Sequence, residues 1–269
     1  MRRIFLKVAY DGTDFHGWQL QPGVRTVEGE LNRALSELTK EEITVIGASR
    51  TDAGVHALGN VAVFDSESTI PPNRFSYAVN TLLPDDVKVV FSKEVSADWH
   101  PRKNACRKTY EYRIYTGEFD DPLKRRNSWH VPYRLDADKM QKAAQYLVGE
   151  HDFVSFCSVH TQAESTVRTI YSIDVIEEKR EGPDEDSGEK TAGGGNDGTA
   201  TGSDFIIRIC GNGFLYNMVR IIAGSLAETG SGKQNPEWME EVLKSRDRTK
   251  GGPTAPPQGL LLKQIVYDA

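Results

Sequence analysis

Glu42-Ile43-Thr44-Val45-Ile46-Gly47 and Ala57-Leu58-Gly59-Asn60-Val61-Ala62-Val63-Phe64 are two strand-like runs, joined through Ala48-Ser49-Arg50-Thr51-Asp52-Ala53-Gly54-Val55-His56. Their β-branched and aromatic residues, bounded by turn residues, predict consecutive strands. Working outward, residues 3–11 read as an earlier strand that ends in the turn Asp11-Gly12-Thr13-Asp14. Thr26 can cap a helix in which Val27, Leu31, Ala34, Leu35 and Leu38 have helical spacing. On the other side, a helix starts near Pro72 with Phe75, Val79 and Leu82 on one face, and residues 86–95 supply a further strand. The order strand-helix-strand-strand-helix-strand is the split β-α-β pattern.

The second half repeats that order without repeating its sequence. Residues 105–116 form a long strand candidate. Asp136 caps a helix with Met140, Ala144 and Leu147 on one face. Residues 166–176 and 205–210 read as strands, and a helix carries Leu215, Met218, Val219, Ile222 and Leu226. Residues 259–267 close with a strand. The expected class is α+β, as two ferredoxin-like halves with adjoining antiparallel sheets. The expected division is 1–98 and 99–269. Residues 177–204, rich in Gly, Asp and Glu, read as a mobile acidic loop between two paired strands.

The chain has 269 residues and a net charge of −6. Nine acidic and three basic residues of that balance fall in 177–204, so the remainder is neutral. Within the remainder, Arg102, Lys103, Arg107, Lys108, Arg113, Lys124, Arg125 and Arg126 cluster among Trp99, Tyr110, Tyr112 and Tyr115. A solvated charged face is the usual meaning of such a run. Interleaved aromatics tilt it toward nucleic acid, since cations follow phosphates and bases stack on rings. No apolar run is long enough for a membrane span, and the charged start does not read as a signal peptide. The three cysteines, Cys106, Cys157 and Cys210, are scattered and suggest neither a zinc site nor a disulfide framework. A reducing, cytoplasmic setting fits them best.

Asp52 is the candidate reactive group. It lies in the connection between two strands, flanked by the cation Arg50, the hydroxyl of Thr51 and the permissive Gly54. An ordinary polar turn would use similar residues. The longer run Arg50-Thr51-Asp52-Ala53-Gly54-Val55-His56 resembles the signature of the tRNA pseudouridine synthase A family. Four further stretches resemble that family in the same order. They are Tyr10 to Gln19 (Tyr10-Asp11-Gly12-Thr13-Asp14-Phe15-His16-Gly17-Trp18-Gln19), Arg107-Lys108-Thr109-Tyr110-Glu111-Tyr112 with His151-Asp152-Phe153, Gly211 to Arg220, and Ala255-Pro256-Pro257-Gln258-Gly259-Leu260.

The resemblance implies a pseudouridine synthase fold with a central cleft, and isomerisation of uridine at positions 38, 39 and 40 in the anticodon stem-loop of tRNA. That reaction breaks the N1–C1′ bond, turns the uracil and rejoins it through C5, with no metal, redox cofactor or ATP. It implies Asp52 as the catalytic carboxylate, Tyr110 packing on the uracil with Tyr112 as its rival, and Arg220 as the late arginine that favours the ionised acid. Arg220 otherwise reads as a cation at the margin of an apolar helix stripe that snorkels to water. Arg50 would fill the space that the extruded base leaves. Trp99, His100, Pro101, Arg102 and Lys103 match an RNA-binding stretch. His160, Thr161, Gln162, Ala163 and Glu164 match a tRNA-contacting loop, here without an arginine. The segment 11–18 shapes the site or touches RNA, and His56 has no assigned catalytic role. The family's homodimer is expected too.

The sequence contains no Gly-x-Gly-x-x-Gly in a β-α-β context, no phosphate loop and no His/Cys pair at metal spacing. Three rival readings are weaker. An RNA-binding module on the same scaffold would carry the RRM aromatic signature, which is missing. A glycosidase needs a second carboxylate across the bond. A metal-dependent hydrolase needs clustered ligands, and the six histidines are scattered.

Overall fold

The structure, a computed structural model, describes residues 1–159, 163–180 and 202–268. The acidic stretch of the sequence therefore lies mostly outside the described residues, as do His160, Thr161 and Gln162. The chain folds as two compact units that are interleaved in sequence. Unit 1 holds Met1–Glu111, Cys210–Phe214 and Leu260–Ala269, and unit 2 holds Tyr112–Ile209 and Leu215–Gly259.

Unit 1 is built on β1 (Arg2–Tyr10), β2 (Ile46–Gly47), β3 (His56–Ser66), β4 (Val87–Val95) and the first half of β5 (Cys106–Thr116), with β10 (Leu260–Tyr267) returning late. Its strands lie in the order β4-β1-β3-β10-β5. β1 alternates buried and half-buried residues, with Ile4, Leu6 and Val8 fully inside. That is the period of a strand with one covered face. It pairs antiparallel with both β3 and β4, Arg3 facing Asp65 across the first of these ladders. The covering helix α1 (Val27–Thr39) starts where Thr26 accepts a hydrogen bond from Gly29 N–H. Its buried Val27, Leu31, Ala34 and Leu35 form one stripe. A 3₁₀ turn at Pro72–Arg74 leads into the short α2 (Phe75–Val79), so the predicted helix near Pro72 ends before Leu82.

Unit 2 takes the second half of β5, then β6 (Trp129–Val131), α3 (Ala137–Gln145), β7 (Gly149–Asp152), β8 (Val167–Lys179) and β9 (Ser203–Gly211). Its strand order is β5-β9-β8-β7. α3 is capped by Asp136, which accepts from Lys139 N–H. α4 (Met218–Gly230) is buried almost throughout, and α5 (Trp238–Ser245) buries Met239, Val242 and Leu243.

Two further expectations change. Residues 42–45 are not strand. Ile43 N–H donates to Ser36 Oγ at 2.9 Å and Val45 N–H to Asn32 Oδ1 at 2.9 Å, so side chains of α1 take the bonds a ladder would use. The sheet is also mixed rather than antiparallel. β10 runs parallel to β3, with Leu261 opposite His56 and Leu262 opposite Ala57, and β6 runs parallel to β5. Parallel neighbours need a long crossover, and α4 and α5 lie on the way to β10. Among the described residues, no helix is long and apolar enough to cross a membrane.

Candidate active site

The Asp52 loop enters β3 through a turn closed by Val55 N–H donating to the Asp52 carbonyl at 3.2 Å. Gly54 sits in that turn at φ 77°, a left-handed conformation costly for residues with a Cβ. The segment that ends the early resemblance cradles the loop's backbone. Trp18 N–H donates to the Thr51 carbonyl at 3.0 Å, and Gly54 N–H donates to the Phe15 carbonyl at 3.3 Å. Gly17 approaches so closely that a Cβ there would lie 2.8 Å from the Thr51 oxygen. Residues 15–18 thus shape the site by main-chain contact. Asp52 is half-buried on this frame, while Thr51 beside it is buried.

Tyr110, from β5, comes to the same place. Its phenol stands beside the Ser49 side chain and in the field of the Asp52 carboxylate. Burial pushes this phenol up to about 12, the nearby Ser49 hydroxyl works against that rise, and the Asp52 charge adds to it. Tyr110 is therefore a neutral proton donor at physiological pH. Its ring packs edge-on against Phe214, with centroids 5.1 Å apart. Beneath lies a layer the sequence did not single out. Tyr10 OH bonds to Thr51 Oγ1 at 2.7 Å, and Asn60, fully buried in β3, donates to Tyr10 OH and to the Ser49 carbonyl. The sequence held one signal for it, an Asn inside an otherwise apolar strand.

A carboxylate on a pinned loop beside a neutral phenol is the geometry at which comparison with known proteins bears on the question. A model of a family described as tRNA pseudouridine synthase matches residues 7–102 and 143–268. A tRNA pseudouridine synthase A of Thermoanaerobacter sp. (strain X514) is 45% identical over 99% of this chain and 100% of its own. Those of Brevibacillus brevis and Bacillus licheniformis are 44% and 42% identical, each over 99% of this chain and at least 99% of their own. The chain belongs to the tRNA pseudouridine synthase family. It is accordingly an isomerase that makes pseudouridine in tRNA.

Tyr112 does not rival Tyr110. It is fully buried, its hydroxyl donates to the Pro256 carbonyl at 2.7 Å, and Gly259 packs on its ring so tightly that a Cβ would lie 2.6 Å away. Tyr115 is no stacking platform either. It is buried under His130, with Arg180 and Lys124 on its ring. Lys124 and Arg180 are both paired with Asp204, which removes Lys124 from the predicted basic stripe. Trp99 is half-buried and wedged between Phe5 and Tyr267, with centroids 5.4 and 4.8 Å away. It braces the turn 99–103, whose Pro101 carbonyl accepts from Tyr267 OH at 2.9 Å. His100 accepts from Arg102 N–H, and its imidazole is held below its ordinary value by burial and then by the neighbouring cations Arg102 and Lys103. Arg102 and Lys103 themselves are exposed.

Arg50 is exposed, and among the described residues its side chain makes no hydrogen bond or ion pair. Arg220, in unit 2, does not snorkel. Its Nε donates to the Ala255 carbonyl at 2.7 Å and its Nη1 to Asn217 Oδ1 at 2.8 Å. Asn217, at φ 60°, opens α4 and also donates to Ser158 Oγ at 2.8 Å. Ala163 is half-buried and Glu164 exposed.

His56 closes the loop. Its Nδ1 lies 3.1 Å from Gly12 N–H and 3.1 Å from Asp11 Oδ1, two contacts that compete for one nitrogen. Its Nε2 is buried with no hydrogen-bond partner among the described residues. Asp11 Oδ1 is engaged by Thr13 N–H and Oγ1.

Proposed function

We propose that Asp52 is the carboxylate that acts at C1′ of a target uridine, with Tyr110 packed against the uracil; residue resemblance supports Arg220 as a substrate-binding residue. The observation that carries this reading is a half-buried Asp52, on a loop held from both sides by main-chain bonds, whose charge acts on the buried Tyr110 phenol. The N1–C1′ bond breaks, C5 takes the place of N1 on the sugar, C5 loses its proton and N1 gains one. Atoms and electrons balance within the nucleoside. An ionised acid stabilises the electron-poor sugar or bonds to it covalently. A neutral phenol donates a hydrogen bond to the turning base without competing for that charge.

The RNA surface in this reading comprises Arg50, the turn from Trp99 through His100 and Pro101 to Arg102 and Lys103, and the stretch His160, Thr161, Gln162, Ala163 and Glu164. Arg50 supports it best, as an exposed planar cation beside the reactive loop that can stack where a base has left. Within the turn, Arg102 and Lys103 meet phosphates while Trp99 holds their backbone. The target is the run of uridines at the 3′ side of the anticodon arm, and the working form is a cytoplasmic homodimer. Residue resemblance supports these finer points.

Tritium release from tRNA labelled at uracil C5 tests the chemistry. The unmodified protein releases label, and Asp52→Asn binds tRNA with unchanged affinity but releases none. Release persisting in Asp52→Asn sinks the assignment. Mapping pseudouridine in total tRNA after incubation reads out the position.

A further inference from the structure

Asn60 has no reason to be in β3 unless something uses its amide. It is fully buried among Ala57, Val61, Ala62 and Val63, where a valine would cost no desolvation. Every polar atom of its side chain is engaged. Oδ1 accepts from Val61 N–H at 2.9 Å, and Nδ2 donates to Tyr10 OH at 3.2 Å and to the Ser49 carbonyl at 3.0 Å. A backbone N–H can only donate, so Oδ1 is identified by its partner and both Nδ2 protons are committed. The Tyr10 oxygen accepts one of them. Tyr10 OH and Thr51 Oγ1 share a further hydrogen bond at 2.7 Å. A chain therefore links Asn60 through Tyr10 to Thr51, and a second arm ends on Ser49.

We propose that Asn60 is the positioning residue of the reaction, holding Ser49 and Thr51 on either side of the exposed Arg50 so that Asp52 and Tyr110 stay in register. It touches neither RNA nor the reacting atoms. The second arm fixes the loop at the Ser49 carbonyl, and the Ser49 side chain stands beside the Tyr110 phenol. Arg50 is left to reach outward from between two anchored neighbours. The inference rests on Asp52 being the reactive carboxylate.

Single-turnover tritium release at saturating tRNA tests it, with tRNA affinity and thermal melting measured on the same proteins. Tyr10→Phe is the decisive variant, because its ring keeps its place against Trp18, 6.0 Å between centroids. Thr51→Val and Asn60→Ala interrupt the chain at its other links. Each is expected to slow release by about 10- to 100-fold, the scale of a small misplacement of reacting groups. Affinity for tRNA should stay within about threefold, and each protein should remain folded at the assay temperature. Because the links act as one unit, Tyr10→Phe combined with Thr51→Val should be about as slow as the slower single variant. A wild-type rate in Tyr10→Phe, a loss confined to affinity, or losses that multiply in the double variant would overturn the proposal. Asp52→Asn runs alongside. If it is inactive while Tyr10→Phe keeps full rate, only this inference falls; if it is active, both readings fall.

Discussion

Two tyrosines on one face of β5 have different surroundings, and the difference lies at each hydroxyl. Tyr110 stands beside Ser49 in the field of the Asp52 carboxylate, and Tyr112 ends on the carbonyl of Pro256. Removing the second hydroxyl leaves a carbonyl without its donor, a loss of about 1–2 kcal/mol. Tyr112→Phe is therefore expected to lower the melting temperature by several degrees, with tritium release within about twofold of the unmodified protein. A collapse of activity at unchanged stability would instead make Tyr112 a reaction partner. The alternation of the strand showed that both side chains share a face, but not which partner waits at the end of each. The family was legible around Asp52 because that whole neighbourhood in sequence carries the resemblance. Asn60 and Tyr10 were not, because their meaning is a bond between positions far apart in the chain.

At the scale of elements, local rules succeeded where a helix or strand announces its own boundary. Thr26 and Asp136 cap the helices they were expected to cap. The run 42–45 failed because α1 offers Asn32 and Ser36 as competing acceptors, which no local pattern reveals. β6 and β7 are too short for a period to show, and both exist through their neighbours. The pairing of β1 with β3 gives a pH prediction. Arg3 holds Asp65 across the ladder with two bonds, 2.8 and 2.7 Å. The Arg3 hydrogen bond is the largest cause holding the Asp65 carboxyl below its ordinary value, and burial opposes it. A depressed acid stabilises the fold above its unfolded pKa, and that contribution is lost as pH falls through the folded one. Half-exposed as the pair is, it is worth about 0.5–1 kcal/mol. Asp65→Asn should destabilise by that amount at neutral pH and by little once the medium is acid enough to protonate Asp65. Urea midpoints measured across that range check it; a difference that does not shrink on acidification refutes the assignment.

At the scale of the whole molecule, the charge balance and the order of the chain decide what can be removed. Residues 181–201 carry six acids and one base. The positions that flank them are already joined, Arg180 N–H donating to the Gly202 carbonyl at 3.1 Å. Replacing 181–201 with a short Gly/Ser link should leave release unchanged and tRNA affinity equal or slightly higher, since anionic charge is lost. A slower enzyme would show that the acids serve the reaction. Truncation at the other end should behave differently. Shortening the chain after Gly259 deletes β10, the parallel partner of His56 and Ala57 where the Asp52 loop enters the sheet, and should abolish release. Full activity in that truncated protein would contradict the strand pairing. The arrangement also bears on biosynthesis. A chain stalled on the ribosome before residue 260 lacks the partner strand of His56 and Ala57, and is therefore expected to release no label from the tRNAs around it.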